Sequence, residues 1–123
     1  MEKTRHELRV EAMHLLYQKD LREAFVVEPF KVGFDLYQGV MDHLAEIDQL
    51  IKDNLFNYSL ERLSFVDRAI IRLAVYELKY TDTPNPIVIN EAVKLTKSFS
   101  NLDDEKQSAF TNRLLDTIAK RLG

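Results

Sequence analysis

The sequence contains no cysteine, and only three glycines and three prolines among its 123 residues. The absence of cysteine excludes disulfides, thiolate metal sites and cysteine-based catalysis, and it fits a reducing compartment. No apolar run approaches the ~20 residues that a membrane-spanning helix needs. The charged segment 1–9 is not followed by the apolar core of a signal peptide. We therefore expect a cytoplasmic protein without a membrane contact.

The chain also has little excess charge of either sign. Its formal net charge is −3, which makes it a poor general binder of nucleic acid, because non-specific affinity comes mainly from phosphate neutralisation. Hydrophobic residues form 46% and charged residues 30% of a length that suits one folded domain, 1–123. A role with RNA or DNA then requires a local basic patch or a second protein.

Apolar residues recur at helical spacing, and no segment alternates with period two. We predict a first helix over residues 4–24 and a long second helix that starts at Pro29, bends near Gly39 and ends near residue 55. A short helix around Leu60 and Leu63 follows, with Ser64 as the cap of the next helix. The fold class is therefore all-α, a compact bundle of about six or seven helices.

The segment from Asp67 to Phe99 is the most informative part of the chain. Residues Asp67 to Leu78 are apolar on nearly every side, which predicts a central helix buried by several neighbours. The stretch Thr81 to Pro86 ends this helix. Asn85 followed by Pro86 is a favourable start for the next one, with Asn85 as the cap.

No catalytic or metal-binding motif is present in the sequence. The three histidines lack zinc-site spacing, and there is neither a Gly-x-Ser-x-Gly elbow nor a phosphate-binding glycine loop. Glu11 and His14 form one Glu-x-x-His step, but di-iron helix bundles need two such steps and two more carboxylates. We expect a protein that is not an enzyme, with no cofactor, metal or small-molecule substrate.

The first helix combines basic groups with an aromatic ring. Lys3, Arg5, His6 and Arg9 lie within two turns, and Tyr17 lies two turns beyond Arg9. Cations bind phosphates and aromatic rings stack on unpaired bases, so this combination suits RNA. An ordinary solvated helix face with interspersed glutamates explains the same pattern.

Two further groups also allow a structural and a functional interpretation. Asp67 opens the central helix, where the helix dipole stabilises a carboxylate, or it belongs to a polar binding surface. Phe99 and Phe110 flank an acidic loop with Asp103 and Asp104. These aromatic rings are either ordinary core residues or, where exposed, an apolar contact for a partner.

In its residue order the chain resembles the NusB family of bacterial transcription antitermination factors, most closely from Asp67 to Phe99. The matching motifs are Arg5 and Arg9 with Leu16-Tyr17-Gln18, the run Asp67 to Leu78, the proline loop, Ile89-Asn90-Glu91-Ala92, Lys97-Ser98-Phe99, and Phe110 with Asn112 and Leu115-Asp116. The middle motifs are specific together, although each alone would be weak.

This resemblance implies an all-helical fold of two packed helical subdomains that form a single RNA-binding domain. It implies binding to the boxA element of nascent ribosomal RNA together with NusE, a protein of the small ribosomal subunit. The complex then joins RNA polymerase and other Nus factors and prevents termination. By position, the resemblance assigns residues to two sets. The RNA set is Lys3, Arg5, His6, Arg9, Tyr17 and Asn112, and the NusE set is Asp67, Phe99, Asp103, Asp104 and Phe110.

The chain departs from the family pattern at three places. His14 stands where the family commonly has Gln, and the span from Phe99 to Phe110 is longer by about three residues. The family's Phe-x-Asn-Gly reads Phe110-Thr111-Asn112-Arg113 here, and glycine permits a close approach that arginine does not. Either this surface has changed or Arg113 adds a phosphate contact.

Three other functions compete with this one. The RNA-binding accessory domain of an rRNA cytosine methyltransferase shares the fold, but the chain ends at Gly123 without a dinucleotide-type glycine loop, so catalysis would need a second domain. A purely protein-binding helical adaptor predicts no RNA affinity even with NusE present. A helix-bundle metalloenzyme predicts bound iron or manganese in the purified protein.

Overall fold

The computed structural model describes residues 2–56, 58–100 and 104–123, in which every regular element is helical. The elements are α1 (Arg5–Leu21), α2 (Phe34–Asp42), α3 (Leu44–Asp53), a short 3-10 turn (Leu60–Arg62), α4 (Phe65–Tyr80), α5 (Asn85–Phe99) and α6 (Asp104–Leu122). No strand occurs in these ranges. The prediction of an all-α bundle with six or seven helices is confirmed.

Helix α4 lies at the centre of the bundle, as its composition predicted. It contacts α1, α2, α3, α5 and α6. Ile70, Ile71 and Leu73 point to different sides of the helix, and each is at most 2% exposed. A helix that is apolar on all sides can be covered only by neighbours on all sides. Both ends of α4 therefore lie among side chains that other helices supply.

Helix α1 packs antiparallel against α4. It begins with a capping box, in which Thr4 Oγ1 accepts from the backbone N–H of Glu7 and the Glu7 carboxylate accepts from the N–H of Thr4, both at 3.1 Å. Arg5 at the start of α1 lies near Glu77 at the end of α4, whereas Tyr17 lies beside Phe65 at the start of α4. The two ends of α1 are therefore presented at opposite ends of α4.

The long second helix that we predicted from Pro29 is wrong. Residues 22–33 are not helical, and Phe30, which falls within the predicted helix, is 79% exposed. The chain then breaks between α2 and α3 at His43, with φ −121° and ψ 19°, and not at Gly39. The His43 ring stacks on Tyr80 with centroids 3.9 Å apart. Periodicity gave no sign of this break because apolar residues continue on both sides of it.

Gly39 instead lets α2 approach Tyr76. A methyl group at residue 39 would lie 2.6 Å from Tyr76 Cε1 and still nearer to Cζ. The Tyr76 ring is held in place because it stacks on Tyr80, with centroids 5.8 Å apart. We expect Gly39→Ala to lower the free energy of unfolding by about 1–3 kcal/mol, measured by urea denaturation. In a Tyr76→Ala background, Gly39→Ala should lower the free energy of unfolding much less. If the effects of the two substitutions simply add, this explanation is wrong.

The start of α4 and the pairing of α5 with α6 complete the frame. Ser64 Oγ accepts from the Asp67 N–H at 3.1 Å, which confirms the predicted cap. The predicted Asn85 cap is wrong, since Pro84 is the cap residue and Asn85 is already helical. A buried hydrogen bond of 3.3 Å from Thr96 Oγ1 to Thr111 Oγ1 joins α5 to α6.

Candidate nucleic-acid interface

The predicted site residues lie in two groups at opposite ends of α4. Lys3, Arg5, His6 and Arg9 belong to the start of α1, near Glu77. Tyr17 contacts Phe65 at the start of α4, and Phe99 precedes Ser100, which donates to Asp67. Phe110 contacts Tyr58 in the segment before α4. Asp67 and Glu77 are ten residues apart in one helix, which corresponds to about 15 Å at 1.5 Å per residue. A ligand that touches both groups must therefore be extended.

Arg9 lies inside the protein, not on an exposed basic face as we expected. It is 4% exposed. Its Nε donates to both carboxylate oxygens of Glu77, at 3.1 and 3.0 Å, and its Nη1 donates to Glu91 Oε1 at 3.1 Å. These bonds tie α1 to α4 and α5 through charge-assisted contacts. The expectation that Arg9 binds RNA phosphate is therefore corrected, because its charge is already used by two buried carboxylates.

Arg5 and His6 lie at the rim of this buried cluster and are accessible. The Arg5 side chain is 47% exposed, with Nη2 3.5 Å from Glu77 Oε1. The His6 side chain is 50% exposed, with Nδ1 3.3 Å from Glu91 Oε1. Lys3 is exposed as well and lies 3.7 Å from the Glu7 carboxylate. Because Arg9 remains with Glu77 and Glu91, these outer groups can turn to a phosphate without leaving a buried charge unpaired.

Lys94 on α5 extends the same surface. Its Nζ lies 3.7 Å from Glu91 Oε2, and its side chain is 60% exposed. It borders a shallow groove shared with His6 and Asn90. Sequence reasoning missed it because nothing in the sequence of α5 distinguishes it, and only the packing of α1 brings it beside His6. Lys3, Arg5, His6 and Lys94 are called the basic end below.

The opposite group contains aromatic rings, two of which are paired with arginines. Tyr17 meets Phe65 edge to face with centroids 6.5 Å apart. The guanidinium carbon of Arg68 lies 4.4 Å from the centre of the Phe65 ring. Arg68 is oriented by Asp20, whose Oδ2 accepts from its Nε at 3.0 Å. Rings and guanidinium planes arranged in this way can stack on unpaired bases.

A second ring pair lies next to the first. Tyr58 and Phe110 have centroids 5.9 Å apart and are tilted by 49°. The guanidinium carbon of Arg62 lies 5.6 Å from the centre of the Tyr58 ring. Phe110 is half-buried, as a ring that serves both core and contact would be. Tyr17, Phe56, Tyr58, Phe65 and Phe110 are called the aromatic end below.

Sequence reasoning missed three members of the aromatic end. Phe56 is 78% exposed, Tyr58 40% and Phe65 38%. The three residues lie within ten positions, in a segment that reads as polar and helix-breaking. The signal available in the sequence was that these aromatic residues belong to no apolar face of a predicted helix. Large apolar side chains exposed together often mark a contact surface.

Asp67 is buried, and not displayed to a partner as we expected. It is 1% exposed, and its Oδ2 accepts from Ser64 Oγ at 2.8 Å and from Ser100 Oγ at 3.5 Å. Within the described part of the chain its Oδ1 has no hydrogen-bond partner. Burial raises the pKa of Asp67 above its ordinary value of 3.8, and the hydroxyl hydrogen bonds oppose this shift. The residue joins the start of α4 to the end of α5 inside the protein.

This raised pKa predicts a pH dependence of stability. A carboxyl group whose folded pKa exceeds its unfolded value binds its proton more tightly in the folded state. Its favourable contribution is therefore present below the unfolded value of 3.8 and is lost as the pH rises through the raised folded pKa. We expect Asp67→Asn to become more stable relative to the parent protein as the pH rises through this window, in urea denaturation at a series of pH values. A difference that does not change with pH would contradict the assignment.

The remaining predicted residues are placed as follows. Phe99 is half-buried, and its ring meets the exposed His14 edge-on with centroids 5.4 Å apart. Asn112 is exposed on α6. Asp103 lies outside the described residues, and so does the side chain of Asp104. The expectation that one of these two acidic residues meets a partner therefore stays a prediction.

Arg72 forms ion pairs that join three helices. Its Nε and Nη2 donate to the two carboxylate oxygens of Asp48 at 2.8 and 2.9 Å, and its Nη1 lies 3.4 Å from Asp20 Oδ2. The pair is half-buried and joins α4 to α3, while Asp20 adds α1. A bidentate contact of this kind fixes the relative position of helices.

The part of the chain that the structure describes has neither a metal site nor a membrane span. Among the described residues, no three histidine, aspartate or glutamate side chains are arranged so that they could hold a metal ion. Over the same ranges, no helix is long and apolar enough to cross a membrane.

Comparisons of the sequence with known proteins agree with one another. A family model described as the NusB family matches residues 6–120. The transcription antitermination protein NusB of Nitratiruptor sp. is 38% identical over 97% of this chain and 94% of its own length. The protein of the same name from Listeria monocytogenes serotype 4a is 39% identical over 94% of this chain and 95% of its own length.

Solved structures are similar over the same extent. NusB of T. maritima superposes with a TM-score of 0.84 at 31% identity, and the match covers 98% of this chain and 93% of that one. A second match is a crystal structure of the antitermination factors NusB and NusE in complex with double-stranded RNA. It has a TM-score of 0.80 at 28% identity and covers 98% of this chain and 99% of that one.

Proposed function

The chain belongs to the NusB family, and from this premise we propose that it is a transcription antitermination factor that binds boxA RNA of nascent ribosomal transcripts together with NusE. The observation that carries the proposal is the pair of exposed ends on one rigid helix frame. The basic end supplies cations and the aromatic end supplies rings and guanidinium groups, about 15 Å apart along α4. This spacing suits a flexible single strand.

The mechanism is joint presentation of one binding surface by two proteins. Phosphates would bind Lys3, Arg5 and His6. The RNA would also meet Tyr17 and Asn112, the other accessible members of the set that the resemblance assigns to RNA. Single-stranded RNA exposes its base edges and faces, so specificity need not come from a duplex groove. Because the net charge of this chain is −3, its own affinity for RNA should be low, and NusE would supply much of the remaining contact.

The same proposal extends to the complex that this chain would join and to the place in the cell where it would act. The chain performs no chemical step, and its contribution is to hold RNA and NusE so that the complex joins RNA polymerase and other Nus factors. It would act where transcripts are made, in the bacterial cytoplasm. The solved complex of NusB, NusE and RNA in this family supports both partners.

A gel shift tests the proposal directly. A boxA RNA is titrated with this protein alone, with NusE alone, and with both, beside a scrambled RNA of the same composition. We expect tight and sequence-dependent binding only with both proteins. If the pair binds boxA no better than NusE alone does, while the two proteins still associate, the chain is a protein-binding adaptor and the proposal is wrong.

A further inference from the structure

A slot at the aromatic end is not explained by the contacts described so far. It is a cavity of about 330 Å³ between the end of α3 and α6, lined by Asn54, Leu55, Phe56, Phe110, Arg113, Leu114 and Thr117. We propose that this slot binds one unstacked RNA base between the rings of Phe56 and Phe110, with Arg113 on the adjoining phosphate. The inference rests on the proposed function and adds to it a site for a particular nucleotide.

One ring of the slot is held by its neighbours and the other is open to solvent. Phe110 is half-buried and lies against Tyr58 with centroids 5.9 Å apart, so this wall is fixed. Phe56 is 78% exposed and leaves most of its ring open to a ligand. Between them the buried side chain of Leu114, 5% exposed, gives an apolar floor. Base stacking on such rings is tolerant of sequence and is a common means of binding single strands.

The chain segment that bears Phe56 starts from a fixed point. Asn54 is 5% exposed, and its Nδ2 donates to the Leu50 carbonyl at 2.7 Å. This bond closes the end of α3 two residues before Phe56. The ring therefore belongs to a segment whose start is fixed by the end of α3.

Arg113 lies three residues after Phe110 on α6, and side chains at this spacing share a helix face. It is exposed, and among the described residues its guanidinium has no carboxylate partner. Arg68 and Arg72, in contrast, are paired with Asp20 or Asp48. An unpaired guanidinium beside two aromatic rings is suited to a phosphate oxygen or to a base plane. The chain has this arginine where the family pattern has glycine.

The size and chemistry of the slot favour RNA over a protein segment. About 330 Å³ lies at the small end of the range for pockets that take single small molecules. The pair of Arg62 and Tyr58 continues from Phe110 along the surface. Rings and cations that follow one another in this way match the alternating bases and phosphates of a single strand better than a peptide.

The test uses a boxA RNA labelled with 2-aminopurine at one position at a time and bound in the presence of NusE. We expect one position whose fluorescence is quenched on binding, and Phe56→Ala should abolish that quenching. Phe56→Ala should also weaken RNA binding roughly tenfold. Phe30→Ala is the matched control, because Phe30 is 79% exposed in the loop before α2 and should have no effect.

A second variant tests the phosphate contact. Arg113→Gly restores the residue of the family pattern, and it should reduce the dependence of RNA affinity on salt by about one phosphate, a slope change of ~0.7. NusE pairing measured without RNA should be unchanged in both variants, since the slot is assigned to RNA.

The possible outcomes separate this inference from the proposed function. If the parent protein binds boxA with NusE and both variants bind it equally well, the slot is not an RNA site, although the proposed function stands. If Phe56→Ala weakens NusE pairing equally with and without RNA, the slot is a protein contact and the inference is wrong. If the parent protein and NusE together bind no boxA RNA, both are overturned.

Discussion

Replacement of Arg9 by methionine is expected to lower the free energy of unfolding by about 3–5 kcal/mol. The variant keeps an apolar stem of similar length but leaves the carboxylates of Glu77 and Glu91, which are 1% and 9% exposed, without their shared cation. The two buried carboxylates that shared one guanidinium would repel each other, and the exposed Arg5, His6 and Lys94 at the rim would compensate their charge only in part. Since domains of this kind are stable by only about 5–15 kcal/mol, the loss is a large share of the total.

Arg5→Met is the matched control for this prediction. Arg5 lies one turn earlier on the same helix and approaches the same Glu77, but its side chain is 47% exposed and the distance is 3.5 Å. Its removal should cost less than ~1 kcal/mol, as exposed ion pairs do. Urea denaturation of both variants gives the comparison. Equal losses would show that burial of Arg9 does not determine the effect.

A coupled variant distinguishes a lost ion pair from lost packing. In a background of Glu77→Gln and Glu91→Gln the buried negative charges are gone, so Arg9→Met should cost far less than in the parent protein. If Arg9→Met lowers the free energy of unfolding equally in both backgrounds, the loss comes from the apolar contacts of the arginine stem. With either outcome, a loss of RNA binding in an Arg9 variant would reflect unfolding of the protein and not a lost phosphate contact.

The frame of the protein could be predicted because it depends on local patterns. A segment apolar on all sides, Asp67 to Leu78, can only be a buried central helix. Ser64 three residues before Asp67 fits a cap, and the structure has that cap. Leu60 and Leu63 stand between two helix breaks and form a short turn. In each case the cause lies within a few residues of the effect.

The interior position of Arg9 could not be predicted in this way. Arg5 and Arg9 are four residues apart and so share a face of α1. Which face is covered depends on residues 68 and 82 positions away from Arg9, Glu77 and Glu91. A hint existed, because Glu77 lies in a segment that is apolar on nearly every side. A carboxylate at such a position needs a cation from elsewhere in the fold.

The aromatic end could not be predicted for a related reason. Phe56 and Tyr58 belong to no helical stripe, so a method based on periodicity leaves them without a role. Their contacts with Phe110 and Arg113 come from α6, more than fifty positions later in the chain. Asp67 shows the opposite error, since a residue assigned to a partner is used inside the protein by Ser64 and Ser100.

The neutral double variant Lys3→Gln with Arg5→Gln is expected to weaken binding of boxA RNA, with NusE present, roughly 25-fold at 0.1 M salt. Each contact to a single-stranded phosphate makes affinity vary as the salt concentration to the power of about −0.7, which amounts to about fivefold per contact at 0.1 M. Two contacts multiply, and the slope of log affinity against log salt should become shallower by about 1.4. The fold should remain intact, because both side chains are exposed and Arg9 still neutralises Glu77.

The control removes the same charge from elsewhere on the surface. Lys79 lies 3.4 Å from Glu46 and Lys120 lies 3.0 Å from Asp116, so each is an exposed cation with its own carboxylate. Lys79→Gln with Lys120→Gln changes the net charge equally but should leave the salt slope unchanged. If both double variants weaken RNA binding alike, the RNA responds only to overall charge. A defect confined to Lys3 and Arg5 would instead place the phosphate backbone at the start of α1, where the helix dipole also favours an anion.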